Sequence, residues 1–214
     1  MLGSPLQALA VRFVRPWLMR LLAAAALFVA GTPVLAIDSG TKVIDEAFSV
    51  DSGDRRFPVG EPAKRVALPD DWASSHPGFA GSVWYRTSFR MGETSGPEDL
   101  LALYIERACS NVQVHLNGAL IFSGGRMVEP VTRNCSRPQL VTLPPALLRP
   151  DENILDFRVV GHPQERVASR QAAGGLSRIE WGRQSTLIDA HSARLFWGVR
   201  WVEISSLILI GVGC

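Results

Sequence analysis

The sequence has little of what common metal and catalytic sites are built from. It contains three cysteines and four histidines in 214 residues, without a C-x-x-C pair or a Cys/His cluster at metal-ligand spacing. It also lacks G-x-S-x-G, H-E-x-x-H and a glycine-rich phosphate loop between a strand and a helix. We therefore predict no metal site, no cofactor and no catalytic residue.

Opposed carboxylates and runs of one charge are missing as well. Asp70 and Asp71 are adjacent in a predicted turn and point to different sides, unlike the facing pair that glycoside hydrolysis requires. The 22 basic and 20 acidic residues form no stripe of one sign, so nucleic-acid binding is not expected. Internal repeats are absent too, and residues 40–188 suit one domain of ordinary size.

The first 36 residues have the pattern of a secretory signal peptide. Arg12, Arg15 and Arg20 precede an uncharged run from 21 to 30, and Val34-Leu35-Ala36 resembles a signal-peptidase site. The run is shorter than the roughly 20 residues that cross a bilayer. We predict export with cleavage after Ala36, and an uncleaved anchor is the alternative. The remaining chain would carry 19 basic and 20 acidic residues.

A second apolar stretch covers residues 195–214. Trp197 and Trp201 suit the aromatic belt of a membrane interface, and Arg200 and Glu203 can pair one turn apart. Residues 204–214 carry no charge and would span about 16 Å as a helix, half of a bilayer core. This predicts the start of a truncated transmembrane helix. The alternative is a C-terminal helix packed on its own domain.

Strand patterns dominate the middle of the chain. Ser82 to Phe89 alternates, with Val83, Tyr85, Thr87 and Phe89 on one face and Trp84, Arg86 and Ser88 on the other. Residues 100–106 are mostly apolar and are predicted to be buried on both faces. Asn117-Gly118 lies between two alternating runs and predicts a hairpin. Further strands are predicted at 140–143, 154–160 and around 176–187, so residues 40–188 are predicted to form an all-β antiparallel sandwich.

Several motifs occur in a fixed order in this region. They are Leu68-Pro-Asp-Asp-Trp72, Trp84-Tyr-Arg86 with Phe89, Val112-Gln-Val-His-Leu-Asn-Gly118, Gly124-Gly125 and Asn153-Ile-Leu-Asp-Phe157. Together they resemble the galactose-binding-like jelly roll that precedes the catalytic barrel of family-two β-glycosidases. They are also similar to the periplasmic domain of bacterial membrane sensors, including histidine kinases and receptors with seven-transmembrane signalling modules.

The sequence after the sandwich separates these two groups. A glycosidase should continue into an immunoglobulin-like domain and a barrel, whereas this chain continues into an apolar segment. We therefore expect the periplasmic sensory domain of a truncated receptor of the sensor histidine kinase type. It would be anchored in the inner membrane, and the full-length receptor could form a homodimer. The alternatives are the sugar-binding N-terminal domain of a truncated family-two-like glycoside hydrolase and an interaction domain without a small ligand.

Candidate ligand-binding residues come from loops. Trp72 could stack on a sugar ring, although an aromatic residue in a sandwich more often belongs to the core. The connection from Gly124 to Pro138 is longer than a hairpin needs and carries Arg126, Arg133, Asn134 and Arg137. These side chains are predicted to contact a small molecule or a carbohydrate. The alternative is that the arginines are solvated or paired with nearby acids.

Two cysteines lie in the predicted exported domain. A disulfide between Cys109 and Cys135 could persist there, and it would stabilise the fold by ~3 kcal/mol in the chain-entropy model. Two separately buried thiols are the alternative. Cys214 would lie in the bilayer.

Overall fold

The computed structural model describes residues 41–91, 100–135, 137–167 and 173–195. Its strands are β1 (Lys42–Ile44), β2 (Glu46–Asp51), β3 (Lys64–Ala67), β4 (Asp70–Asp71), β5 (Gly81–Phe89), β6 (Leu101–Ile105), β7 (Ala108–Cys109), β8 (Asn111–Leu116), β9 (Ala119–Ser123), β10 (Gln139–Leu143), β11 (Asn153–Gly161), β12 (Gly175–Leu176) and β13 (Ile179–Arg183). Two α-helices, α1 (Trp72–Ser75) and α2 (Gln184–Leu195), and 3-10 turns at Pro145–Leu147 and Gln164–Arg166 complete the described elements.

The strands form an antiparallel β-sandwich. One sheet has the order β3-β2-β5-β11-β8-β9, and the facing sheet has the order β1-β13-β6-β10. A third, short sheet joins β4, β12 and β7. Every strand pair among the described residues is antiparallel, which confirms the predicted all-β class.

The main core lies between the two large sheets, and alternation along the central strands explains it. β11 pairs with β5 over nine residues and with β8 on its other side. Its residues Leu155, Phe157 and Val159 are fully buried in the core. Val83, Tyr85 and Phe89 of β5 meet them there, which confirms that these three residues share one face of the strand.

The hairpin between β8 and β9 turns at Asn117 and Gly118. Their φ angles of 52° and 87° lie in the left-handed region, which asparagine and glycine tolerate best. The Asn117 side chain also donates to the carbonyl of Leu147 and accepts from the backbone N–H of Ile154. The predicted turn is confirmed, and its asparagine in addition ties the hairpin to β11.

A helix lies where the sequence pattern predicted the end of a strand. β13 ends at Arg183, and α2 continues to Leu195 instead of a strand reaching residue 187. Leu187 of this helix packs against Ala102 and Tyr104 of β6, while the Tyr104 ring lies 5.2 Å from the ring of His191. The second apolar face of β6 is therefore buried by a helix, and the predicted boundary at residue 188 falls inside that helix.

The outer face of the six-stranded sheet is covered in part by the segment 52–57. Trp84 of β5 points away from the main core but is fully buried. The Phe57 ring lies 6.4 Å from its indole, and the indole N–H donates to the carbonyl of Asp54 at 3.2 Å. This segment therefore covers Trp84, the largest apolar residue of the outer face.

The predicted signal peptide (1–36) and most of the predicted membrane segment, residues 196–214, lie outside the described residues. Among the described ranges, no helix combines the length and the hydropathy needed to cross a membrane.

Helix α2 offers a matched pair of substitutions that tests its packing. Leu187 is 1% exposed and its neighbour Ile188 is 41% exposed. We expect Leu187→Ala to lower the free energy of unfolding by about 2–5 kcal/mol because it leaves a cavity against β6. Ile188→Ala should change it by less than about 1 kcal/mol. Denaturant unfolding of both variants measures this, and equal losses would contradict the described packing.

Candidate ligand-binding face

Trp72 lies in the core and not on a binding surface. It opens α1, which Asp71 caps by accepting from the backbone N–H of Ala73. The indole is 1% exposed and packs against the Phe79 ring at 5.6 Å. Gly174 lies directly against the indole, so close that no side chain fits there. The structure therefore does not place Trp72 where a sugar could stack on it, and the core interpretation of this residue applies.

A buried polar chain fixes the Trp72 indole. Its N–H donates to the Tyr85 hydroxyl at 2.6 Å, and that hydroxyl donates to the Asp70 carboxylate at 2.6 Å. Burial, followed by the negative charge of Asp70, raises the pKa of Tyr85 well above its ordinary value. The chain joins β4, α1 and β5 and is a structural feature, since both ends are enclosed.

The long loop from 124 to 138 is fastened to the sheet at several points. Cys135 forms a disulfide with Cys109 of β7, with the Cα atoms 4.4 Å apart. The Asn134 amide donates to the Asn111 side chain at 3.1 Å and to the carbonyl of Gly124. Asn111 in turn donates to the carbonyl of Arg126 at 3.2 Å. Asn134 therefore has a structural role in anchoring the loop.

The other predicted ligand-binding residues of this loop are exposed. Arg126, Arg133 and Arg137 are all on the surface. A cleft of about 530 Å³ beside the loop is lined by Cys135 and Pro138 but by none of these three arginines. That cleft does not bring the three arginines together, and their contact with a ligand stays a prediction.

A larger groove lies over β2, β3, β5 and β11, on the outer face of the six-stranded sheet. Its volume is about 650 Å³, within the range of small-molecule sites. The apolar wall includes Phe48, whose side chain is 51% exposed. Charged residues complete the wall: Asp45, Glu46, Arg65, Arg86 and Glu152. The groove thus combines one accessible aromatic ring with several hydrogen-bonding groups.

Arg86 is held rigidly at the floor of this groove. Its guanidinium donates to both carboxylate oxygens of Asp156, at 2.7 and 3.0 Å. The Phe57 ring covers the guanidinium, with its centroid 3.8 Å from Cζ. Arg86 thus binds a carboxylate on the neighbouring strand β11. The same contacts leave it pre-oriented toward the groove.

A second cleft, which we call the arginine cleft, lies on the same face. Its volume is about 530 Å³, and it is lined by Arg55, Arg56, Gln113, His115, Gly118, Ala119, Leu120 and Arg158. Burial, together with Arg158 and Arg56, lowers the pKa of His115, and Asp156 opposes this shift. Burial and the neighbouring Arg55 also lower the pKa of Arg158, while Asp54 opposes that shift. Arginines therefore carry the positive charge of this cleft.

Sequence patterns did not single out these two clefts as sites. Phe48 lies on a short strand that no motif marked, and the pair Arg55-Arg56 looks like any exposed turn. The available signal was the outward face of β5, which carries Trp84 and Arg86. Within the described ranges, no three histidine, cysteine or carboxylate side chains are placed to hold a metal ion.

Comparison with known proteins supports the fold. No protein-family model matches the chain, and no curated protein matches it in sequence. A glycosyl hydrolase family 2 member from Bacteroides cellulosilyticus is similar in structure, with 14% identity and a TM-score of 0.50. The exo-β-D-glucosaminidase CsxA is similar with 13% identity and a TM-score of 0.51. Each similarity covers 67% of this chain but 20% of the hydrolase, so the shared part is one fold within a much longer enzyme.

The buried hydroxyl of Tyr85 gives a stability prediction with a pH signature. Tyr85→Phe leaves the Trp72 N–H and the Asp70 carboxylate without their partner, so we expect a loss of about 1–3 kcal/mol in unfolding free energy. In the native protein the folded state keeps the phenolic proton at pH values where the unfolded chain releases it. Tyr85 therefore contributes stability below the unfolded pKa of about 10, and this is lost as the pH rises through the raised folded value.

Denaturant titrations across the alkaline range measure this effect. The decline of unfolding free energy above pH ~10 should be steeper in the native protein than in Tyr85→Phe. Parallel curves for the two proteins would contradict the buried, protonated state of this hydroxyl.

Proposed function

We propose that the sandwich is a non-catalytic, galactose-binding-like jelly-roll domain that binds a carbohydrate in the groove over β2, β3, β5 and β11. The observation that carries this proposal is the half-exposed Phe48 ring set beside charged hydrogen-bonding groups in one groove. Sugars present an apolar face of C–H groups and a rim of hydroxyls, and both have a counterpart here.

The groove supplies the two kinds of contact at fixed positions. Phe48 is a flat surface for the C–H face of a pyranose ring. Arg86 is oriented by Asp156 and Phe57, and it offers donors to hydroxyl oxygens from a side chain that needs little further ordering. The carboxylate of Glu152 can accept from hydroxyls, and so can that of Glu46, which pairs with Arg65 in the same wall. Groups that are already ordered favour binding because they lose little entropy when the ligand arrives, and this binding requires no residue that reacts with the sugar.

The structural similarities support a domain that serves a longer protein. The two glycoside hydrolases share its fold over about a fifth of their own length. The domain would then be the sugar-binding N-terminal part of a family-two-like glycoside hydrolase, with catalysis performed elsewhere. This alternative from the sequence is better supported than the sensor interpretation.

A second candidate rests on the sequence that follows α2. Residues 204–214 are uncharged and follow Trp197 and Trp201, which suits an exported domain anchored in the inner membrane. In that case the same groove would be the ligand site of a periplasmic sensory domain. The gene sequence beyond the codon for Cys214 distinguishes the two: a barrel with paired glutamates favours the hydrolase, and further apolar helices favour the receptor.

Phe48 gives a direct test of carbohydrate binding. The purified chain should retain specific members of an array of neutral oligosaccharides, and Phe48→Ala should weaken that binding roughly 2- to 10-fold, as expected for one aromatic contact. Val59→Ala is a matched control because Val59 is 93% exposed and lies outside the groove.

Titration calorimetry with the best array hit provides the affinities. Equal affinity for the native protein and Phe48→Ala would move the site away from this groove. If the protein binds no oligosaccharide on the array, the proposal is wrong.

A further inference from the structure

The arginine cleft differs from the groove in its charge. Arg55 and Arg56 come from the segment 52–57, and Arg158 comes from β11 on the sheet beneath it. Among the described residues, no aspartate or glutamate lines the cleft. Two separate parts of the chain therefore direct three cations to one concavity of about 530 Å³, a size that suits a monosaccharide or another small polar ligand.

Arg158 is the most constrained of these cations. Its guanidinium donates to the carbonyl of Gly53 at 3.0 Å and to the Ser82 hydroxyl at 3.2 Å, and it lies 5.9 Å from the Trp84 ring. Both hydrogen-bond partners are neutral, and the described part of the chain provides no carboxylate in ion-pair contact with it. Burial lowers the pKa of Arg158 and the charge of Asp54 opposes this shift, but the two side chains form no ion pair. A half-buried guanidinium that has no ion pair is energetically unfavourable, and a bound anion would reverse this.

We propose that the arginine cleft binds the anionic group of a small ligand, a carboxylate, sulfate or phosphate. The planar forks of three arginines match the oxygens of such groups, and the Gln113 amide provides a further donor at the wall. His115 adds no charge near neutral pH, because burial keeps it in the neutral form. This site is separate from the groove and goes beyond carbohydrate binding there.

The alternative is that Arg55 and Arg56 are ordinary solvated side chains. Both are exposed, and neither forms an ion pair within the described ranges. Their replacement should therefore leave the fold intact, which makes them better test positions than Arg158. Arg133 and Arg137 of the long loop are equally exposed and carry the same charge, so they provide a control with an identical change in net charge.

The test compares three probes on the full chain by titration calorimetry: sodium galacturonate, galactose and sodium sulfate. Galacturonate and galactose differ in the carboxylate, whereas sulfate presents an anion without a sugar. We expect galacturonate to bind more tightly than galactose, and the Arg55→Gln/Arg56→Gln double variant to weaken its binding about tenfold or more. The Arg133→Gln/Arg137→Gln variant should bind like the native protein. Added salt should weaken the interaction.

Each result decides for or against the cleft. Sulfate that binds and is lost in the Arg55→Gln/Arg56→Gln variant supports a general anion site, and galacturonate binding without sulfate binding supports an acidic sugar. If neither anion binds, or if the loop variant is the one that loses binding, the proposal is wrong. Galactose bound as tightly as galacturonate, with Phe48→Ala weakening both, would leave the groove proposal standing and overturn this one.

Discussion

The outer face of the six-stranded sheet depends on one ion pair. Asp156 is 4% exposed in the central strand β11, and a buried carboxylate without a partner would destabilise the fold by several kcal/mol. Arg86, its cross-strand neighbour on β5, binds both carboxylate oxygens. The guanidinium then supports the Phe57 ring, and this contact helps to lay the segment 52–57 over Trp84. The ion pair therefore positions the segment 52–57 as well as Arg86 at the floor of the groove.

Both large sheets carry apolar side chains on the face away from the main core, and different elements shield these side chains from water. Helix α2 buries that face on β6 through Leu187, whereas the segment 52–57 buries Trp84 on β5. The segment covers only part of its sheet, and the groove and the arginine cleft are the parts left open. Candidate binding surfaces thus arise where the cover of the sheet is incomplete.

Local patterns in the sequence predicted the strands well because strand formation depends on the alternation of residues that are adjacent in the sequence. The alternation of β5, the strand predicted at 154–160 and the Asn117-Gly118 turn all agree with the structure. Helix α2 was missed because few apolar residues mark its buried side, which packs on the outer face of β6 through Leu187. Trp72 and the long loop were selected as candidates by residue type. The polar chain through Tyr85 and the anchor at Asn134 are long-range contacts that residue type does not reveal, whereas the Cys109–Cys135 disulfide was one of the two alternatives that the sequence left open. The two clefts are also assembled from distant segments, which a local pattern does not show.

The central claim is that the outer face of the six-stranded sheet, and not the long loop, is where ligands bind. Nuclear magnetic resonance with the best-binding oligosaccharide tests it most directly, because amide shifts report contacts residue by residue. The account predicts perturbed amides at 46–48, 86–88 and 152–156, with the loop from 124 to 138 unchanged. Perturbations confined to that loop would contradict it.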